Sequence, residues 1–299
     1  MAYATKNKIG KLILVFSDAR GVGCNSTTAA ILAAGLAAKG KKVLLLTTDP
    51  DSMDAVTYLS DQAVGDTTLD DMMLLANSNG LNKVSDFDNY VIGLSDSLDA
   101  ARGSSKFERL PGDTTDCLLN IIDLAQYRYH FIVVDLQGRF TQTARVLMEE
   151  AQLVVYSIGQ NLKQIDNLVE DHVLDPDVMN EDAYAMFIAA NYVDREFLNV
   201  KYMEKRLKQT GFYTISHDEQ VLKSSSQKNL YPLVEKAVSG GKGGGLFGFG
   251  GKKSSSVFAD EVSGIINLIM ESLVDPEDEV TASGRKRRKF NRNGDEEEG

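Results

Sequence analysis

The sequence predicts an α/β fold: a doubly wound, mostly parallel sheet with helices on both faces. Three observations carry the prediction. Residues 11–51 (KLILVFSDARGVGCNSTTAAILAAGLAAKGKKVLLLTTDPD) run as apolar strand, glycine-bearing loop, helix and apolar strand. The strand-like stretches are continuous apolar runs, as expected for strands covered on both faces. Strand-like and helix-like stretches then alternate as far as residue 238, the order that builds parallel sheets.

In the first unit, residues 12–16 (LILVF) read as a buried strand and 29–39 as an alanine-rich helix of high propensity. Gly40 is its C-terminal stop, and 43–46 form a second buried strand ended by Asp49-Pro50. The loop between strand and helix carries Gly21 and Gly23, then Ser26, Thr27 and Thr28. Backbone N–H groups of such a loop, and the positive end of the helix after it, face an anion. A helix is expected over 53–59, capped by Asp51 or Ser52, and another over 68–75. Residues 77–88 are polar and read as loop, 90–94 (YVIGL) as a short strand, and 95–111 as a surface loop. Leu118, Leu119, Ile122 and Ala125 fall at helical spacing within 115–125. Residues 131–134 are a fully apolar strand with Asp135 at its carboxyl end. Helices over 143–151, 165–173 and 198–208 follow, with strands over 152–158, 185–190 and 213–215. A loop over 217–226 precedes a helical stretch at 233–238. The last helix is expected over 257–274, where Val262, Ile265, Ile266, Ile269 and Leu273 make one apolar stripe for the core.

A chain of 299 residues with 43% hydrophobic content can bury a large core. Residues 1–274 read as a single domain with a flexible glycine-rich insertion at 239–256 (SGGKGGGLFGFGGKKSSS), and 275–299 as a disordered charged tail. Within the insertion, Leu246, Phe247 and Phe249 between Lys242, Lys252 and Lys253 could touch an anionic membrane, but glycine there prevents a stable amphipathic helix. Formal net charge is −11; the tail holds eight acidic and six basic residues, which leaves −9 on the body. So acidic a body disfavours sequence-independent DNA binding. The basic block at 285–289 keeps contact with nucleic acid or lipid headgroups open beside a plain solubilising role. Cys24 and Cys117 make no disulfide framework and suit a reducing compartment. With no apolar signal core at the start and no run of membrane-spanning length, a cytoplasmic location is expected, with peripheral attachment at the membrane or a cell pole as the variant.

Residues 11–51 resemble the deviant P-loop of the ParA/MinD family of ATPases. Gly21-Val22-Gly23 matches the heart of the loop pattern KGGVGKTT, and GKKVLLLTTDP at 40–50 matches the family's GKKVLLIDADP. YHFIVVDLQG at 129–138 is similar to the Walker B element; Leu136, Gln137, Gly138 and Arg139 stand where the family has a switch that senses the γ-phosphate. The resemblance spans about 10–238 and the helix at 257–274. It implies a P-loop NTPase-like fold, ATP and Mg2+ as cofactors, and a homodimer whose two loops face each other. The implied nucleotide contacts are Arg20, Gly21, Val22, Gly23, Cys24, Asn25, Ser26 and Thr27, with Asn191 toward the adenine and the 217–226 segment near the base. Ser26, Asp49 and Asp135 are the implied metal ligands.

The loop nevertheless has no lysine. Alignment on Gly21-Val22-Gly23 puts Ala19 at the signature lysine and Cys24 at the P-loop lysine; alignment back from Gly40 puts Arg20 and Asn25 there. The two registers differ by one residue, which implies an insertion near Cys24-Asn25. Thr47 replaces the first aspartate of the DADP element, which helps hydrolysis in the family. A P-loop lysine sets a point charge on the β/γ-phosphates as charge develops, so its loss costs rate most heavily. The planar fork of Arg20 does not replace an ammonium group one for one. Weak or absent ATP hydrolysis is expected, with no catalytic residue assigned. Gly21-Val22-Gly23 followed by Ser26-Thr27 looks most like the CpaE/TadZ branch, which positions pilus and secretion machinery. The expected function is a positioning or scaffold protein with a protein partner in an envelope-associated pilus, secretion or transfer machine. The alternative is a DNA partition or conjugative-transfer ATPase of the ParA type. A nucleophilic role for Cys24 is a third reading: a helix N-terminus lowers a thiol pKa, but no His or acid near it in sequence suggests a base.

Overall fold

The computed structural model describes residues 8–19, 21–48, 55–61, 68–78, 80–103, 114–137, 140–239 and 256–274. The glycine-rich run at 240–255 and the tail at 275–299 lie outside them, as do Arg20, Asp49, Gly138 and Arg139. The strands are β1 (Lys11–Ser17), β2 (Val43–Thr47), β3 (Ile92–Ser95), β4 (Leu98–Ala101), β5 (Phe131–Gln137), β6 (Leu153–Ile158), β7 (Tyr184–Tyr192) and β8 (Tyr213–Ser216). The helices are α1 (Asn25–Ala38), α2 (Ala55–Leu59), α3 (Leu69–Asn77), α4 (Thr114–Ala125), α5 (Gln142–Glu150), α6 (Leu162–Glu170), α7 (Val200–Leu207), α8 (Glu219–Ser226), α9 (Leu230–Val238) and α10 (Val257–Leu273). The eight strands form one sheet in the order β3-β4-β2-β5-β1-β6-β7-β8. Every neighbouring pair is parallel except β3 on β4. The predicted doubly wound α/β sheet is therefore the architecture.

Strand alternation divides the core into two layers. Leu12, Leu14 and Phe16 of β1, with Ile132 and Val134 of β5, pack among α3, α4, α5, α6 and α7. Ile13 and Val15, with Phe131 and Val133, pack among α1, α2, α8, α9 and α10. Both faces are covered, which is why the runs are apolar without alternation. Asp135 shares the parity of Phe131 and Val133 and so belongs to the α1 face. Helix α1 is buried nearly all round, from Asn25 to Ala37, as its alanine-rich sequence allows. Gly40 follows it at φ +79°, the left-handed stop expected there. Glu261 of α10 fastens that helix to β8: it accepts from Thr214 Oγ1 at 2.5 Å, Ser216 N at 2.7 Å and Ser216 Oγ at 2.8 Å. Val262, Ile265, Ile266, Ile269 and Leu273 are buried, as their spacing predicts.

Three expectations need correction. The 95–111 segment contains β4, a buried strand paired with β2. Its LDAA sequence is short and made of poor strand formers, but Asp99 is held there by the Tyr129 hydroxyl at 2.8 Å. Residues 77–88 include most of a 3-10 turn, Val84–Asn89. The 217–226 segment is mainly helix α8, capped by Asp218 through Gln220 N at 2.7 Å.

Candidate functional site

The site begins where β1 ends. Between Ser17 and α1 the chain makes a loop whose last residue, Cys24, has φ +50°. Its carbonyl accepts from Thr28 N at 2.8 Å and opens the helix. Gly23 lies under a polar brace. A Cβ there would collide with Ser17 Oγ and stand 2.6 Å from Gln164 Nε2 and the Ser157 carbonyl. Ser157 Oγ donates to the Gly23 carbonyl at 2.5 Å, so Thr28 Oγ1, 2.9 Å away, is the donor to Ser157. Gln164 is fully buried: it takes Gly159 N on Oε1 at 2.8 Å and gives Nε2 to Ser17 Oγ at 2.8 Å and the Ser157 carbonyl at 3.0 Å. Strand β6 and helix α6 thus hold the loop from below.

Asn25 is the first residue of α1, and its side chain turns inward. Its amide nitrogen donates to Asp135 Oδ1 at 2.6 Å, to the Val15 carbonyl at 3.1 Å and to the Leu136 carbonyl at 3.1 Å. Two hydrogens are shared among three acceptors on β1 and β5. Asn25 is 4% exposed and Asp135 0%. The neighbouring strand adds to this junction: Thr48 gives both N (3.1 Å) and Oγ1 (2.9 Å) to the Asp135 carbonyl. Thr47 Oγ1 donates to the Ala101 carbonyl at 3.0 Å. The two threonines are thereby committed to backbone ties.

A cleft of about 300 Å³ opens on the other side of the α1 N-terminus, between Cys24, Thr27 and Ile31, the ends of β7 and β8, and α8. Asn191 stands at its mouth at φ +53°, where the β7–β8 register shifts. Its Oδ1 lies 2.8 Å from His217 Nδ1. An amide oxygen only accepts, so His217 carries its proton on Nδ1.

No protein-family model and no curated protein matches the chain. Solved structures do. A ParA family ATPase from Chlorobium tepidum TLS superposes with a TM-score of 0.67 at 17% identity, over 87% of this chain and 99% of that one. The septum site-determining protein MinD from Pyrococcus horikoshii OT3, complexed with Mg-ADP, gives 0.58 at 17% identity over 78% and 96%. A plasmid partition protein from Borrelia burgdorferi gives 0.55 at 19% identity over 77% and 100%. The chain has the ParA/MinD fold.

On that fold the described candidate residues separate into three groups. Cys24, Thr27 and Asn191 line the cleft. Asn25 and Asp135 meet in the interior, with Ser26 buried beside them on α1. Gly21, Val22 and Gly23 form the loop itself, and Arg20 and Asp49 lie outside the described residues. Among the described residues no three His, Cys, Asp or Glu side chains gather as a metal site. The Cys24 thiol departs from expectation: burial pushes it above its ordinary value, against the pull of the helix N-terminus. It packs on the α1-side core, so the physical basis for a nucleophile is missing. Sequence reasoning missed Gln164 and Ser157. Both are polar residues within plausible elements, and nothing in the local pattern marks them as turned inward.

Proposed function

We propose that the chain is a ParA/MinD-family protein of CpaE/TadZ type, working as a homodimeric positioning scaffold with weak or absent ATPase activity in an envelope-associated pilus, secretion or transfer machine. The observation that carries this reading is the Asn25–Asp135 bond. Phosphoryl transfer needs a cation on the β/γ-phosphates and a carboxylate that serves the metal. Here a neutral amide sits on the carboxylate, and neither Cys24 nor Asn25 offers a charge. The nucleotide and Mg2+ implied by the fold, seen as Mg-ADP in the Pyrococcus horikoshii neighbour, therefore fit in part. Cys24, Thr27 and Asn191 suit the base and sugar, whereas Asp135 is engaged where the metal would need it. A scaffold requires only the fold and its contact surfaces.

The experiment is phosphate release from ATP by the full chain, beside Asp135→Ala. Turnover at background in both supports the scaffold. Robust turnover that Asp135→Ala abolishes overturns it. The basic block at 285–289 favours a second reading, a DNA partition protein, which ATP-dependent DNA retardation lost on neutralising that block would establish. A fluorescent fusion separates the two in cells: polar or peripheral foci for the scaffold, nucleoid-wide signal for the partition protein.

A further inference from the structure

The turn between α1 and β2 reads Lys39-Gly40-Lys41-Lys42 and puts three ammonium groups at the amino end of the sheet, away from the glycine loop. Lys39 and Lys42 are exposed and Lys41 is half-buried. Two other cations at this end are already matched: Lys8 pairs with Asp123, and Arg128 with Asp88 and Asp99. Among the described residues no carboxylate pairs with Lys39, Lys41 or Lys42. The α1 dipole accounts for one lysine here, since a helix C-terminus carries about half a negative charge; it does not account for three. Helix α10 finishes at the same end of the sheet. Glu261 is fastened at the carboxyl end of β8, and Ile266, further along, lies against Gly35. Lys39 N bonds to the Gly35 carbonyl at 3.3 Å, one turn beyond it on α1. Leu273 lies about two turns beyond Ile266 in the same direction. The next residues, 275–279, read Asp-Pro-Glu-Asp-Glu. Carboxylates that follow a helix C-terminus are unfavourable there, and α10 has no basic residue in its last turn to offset them. Packed helices lie about 8–10 Å apart, and five extended residues span about 17 Å, so the run reaches the lysines.

We propose that the acidic run 275–279 docks on Lys39, Lys41 and Lys42 of its own chain. Two separate features point the same way: the charges are complementary, and the run leaves α10 at the end of the sheet where the lysines stand. The contact holds the start of the tail on the body. It also takes these carboxylates away from the basic block at 285–289, which is left free of their charge. The inference is independent of the scaffold reading.

The test is cross-linking of the full chain with a carbodiimide, which joins an ammonium group to a carboxylate in direct contact, followed by peptide mass spectrometry of the band of single-chain mass. Lys39, Lys41 or Lys42 should link to 275–279 at least about 5-fold more than Lys163 and Lys201, which are exposed on α6 and α7 across the sheet. The links should fade at about 1 M NaCl, where the screening length falls to about 3 Å. A second measurement leaves the lysines in place. A carboxylate beside an ammonium group favours its charged, unreactive form. With Asp275→Asn, Glu277→Gln, Asp278→Asn and Glu279→Gln combined, Lys39, Lys41 and Lys42 should be acetylated at least about 2-fold faster, with Lys163 and Lys201 unchanged. Links spread evenly over the exposed lysines, links found only in bands of double mass, or unchanged acetylation in the neutralised variant each overturn the proposal.

Discussion

Gly21 and Gly23 stand two residues apart in one loop and are constrained for opposite reasons. Gly21 has φ +73° and open space where a Cβ would go. Gly23 needs no unusual φ but has Ser17, Ser157 and Gln164 against it. Gly21→Ala should therefore cost only the left-handed penalty, about 1 kcal/mol. Gly23→Ala must push back a buried brace and the β6 backbone, and should cost at least about 2 kcal/mol in urea unfolding. Equal losses would show that the brace yields easily. Cys24, next along, makes a prediction about pH. Burial raises its thiol above the ordinary value of 9.0. Below that value the thiol is protonated whether the chain is folded or unfolded. Above it the unfolded chain releases the proton first, so the folded state binds more protons and stability falls as pH rises past about 9. At pH 8 iodoacetamide should modify Cys24 at least about 10-fold more slowly than a free thiol, with Cys117→Ser as background. Reaction as fast as a free thiol would restore the nucleophile reading.

At the scale of elements, the contact between α1 and α10 is the one most open to measurement. A Cβ on Gly35 would stand 2.6 Å from Ile266 Cγ1 and 2.7 Å from its Cδ1. Gly35→Ala gains about 1 kcal/mol of helix propensity, yet Ile266 is fully buried and has little room to move. A net loss of about 1–2 kcal/mol is expected. Ile266→Val removes the Cδ1 atom at a cost of about 1 kcal/mol. Together the two should cost less than their sum by about 1 kcal/mol; strict additivity would mean that the helices part instead. The long elements were legible because each carries its own signal. The apolar runs of β1, β2 and β5 and the stripe of α10 were read directly, and their boundaries moved by three residues at most, the largest shift being the end of β5 at Gln137. Helix α1 begins four residues before its alanine run, because Asn25 is drawn into the helix by a strand 110 residues away. Strand β4 was hidden because β2 and Tyr129, not local propensity, hold LDAA extended. The candidate site divides the same way. The glycines, Asp135 and Asn191 could be found from motifs, but the Asn25–Asp135 bond and the Gln164 brace exist only through pairing across the sheet.

The whole molecule offers the sharpest measure of whether nucleotide controls this protein. A ligand that binds only the folded state stabilises it by RT ln(1 + [L]/Kd). If Asn25 occupies Asp135 and no loop cation meets the phosphates, Kd for ATP should be about 1 mM or weaker, and 1 mM ATP with Mg2+ then adds about 0.4 kcal/mol. For a body of this size that raises the melting temperature by about 1–2 °C. A micromolar site under the same conditions would add about 4 kcal/mol and about 8–16 °C. The two cases are too far apart to confuse in a thermal scan. We expect the small shift, and no change when Mg2+ is withheld. Light scattering should give one mass, that of a dimer, with or without ATP, because a scaffold whose metal carboxylate is already bonded has nothing for nucleotide to switch. A rise of many degrees with ATP and Mg2+, lost in Asp135→Asn and accompanied by a change of mass, would mean that Asn25 gives way to the metal and that the chain is a nucleotide-driven switch after all.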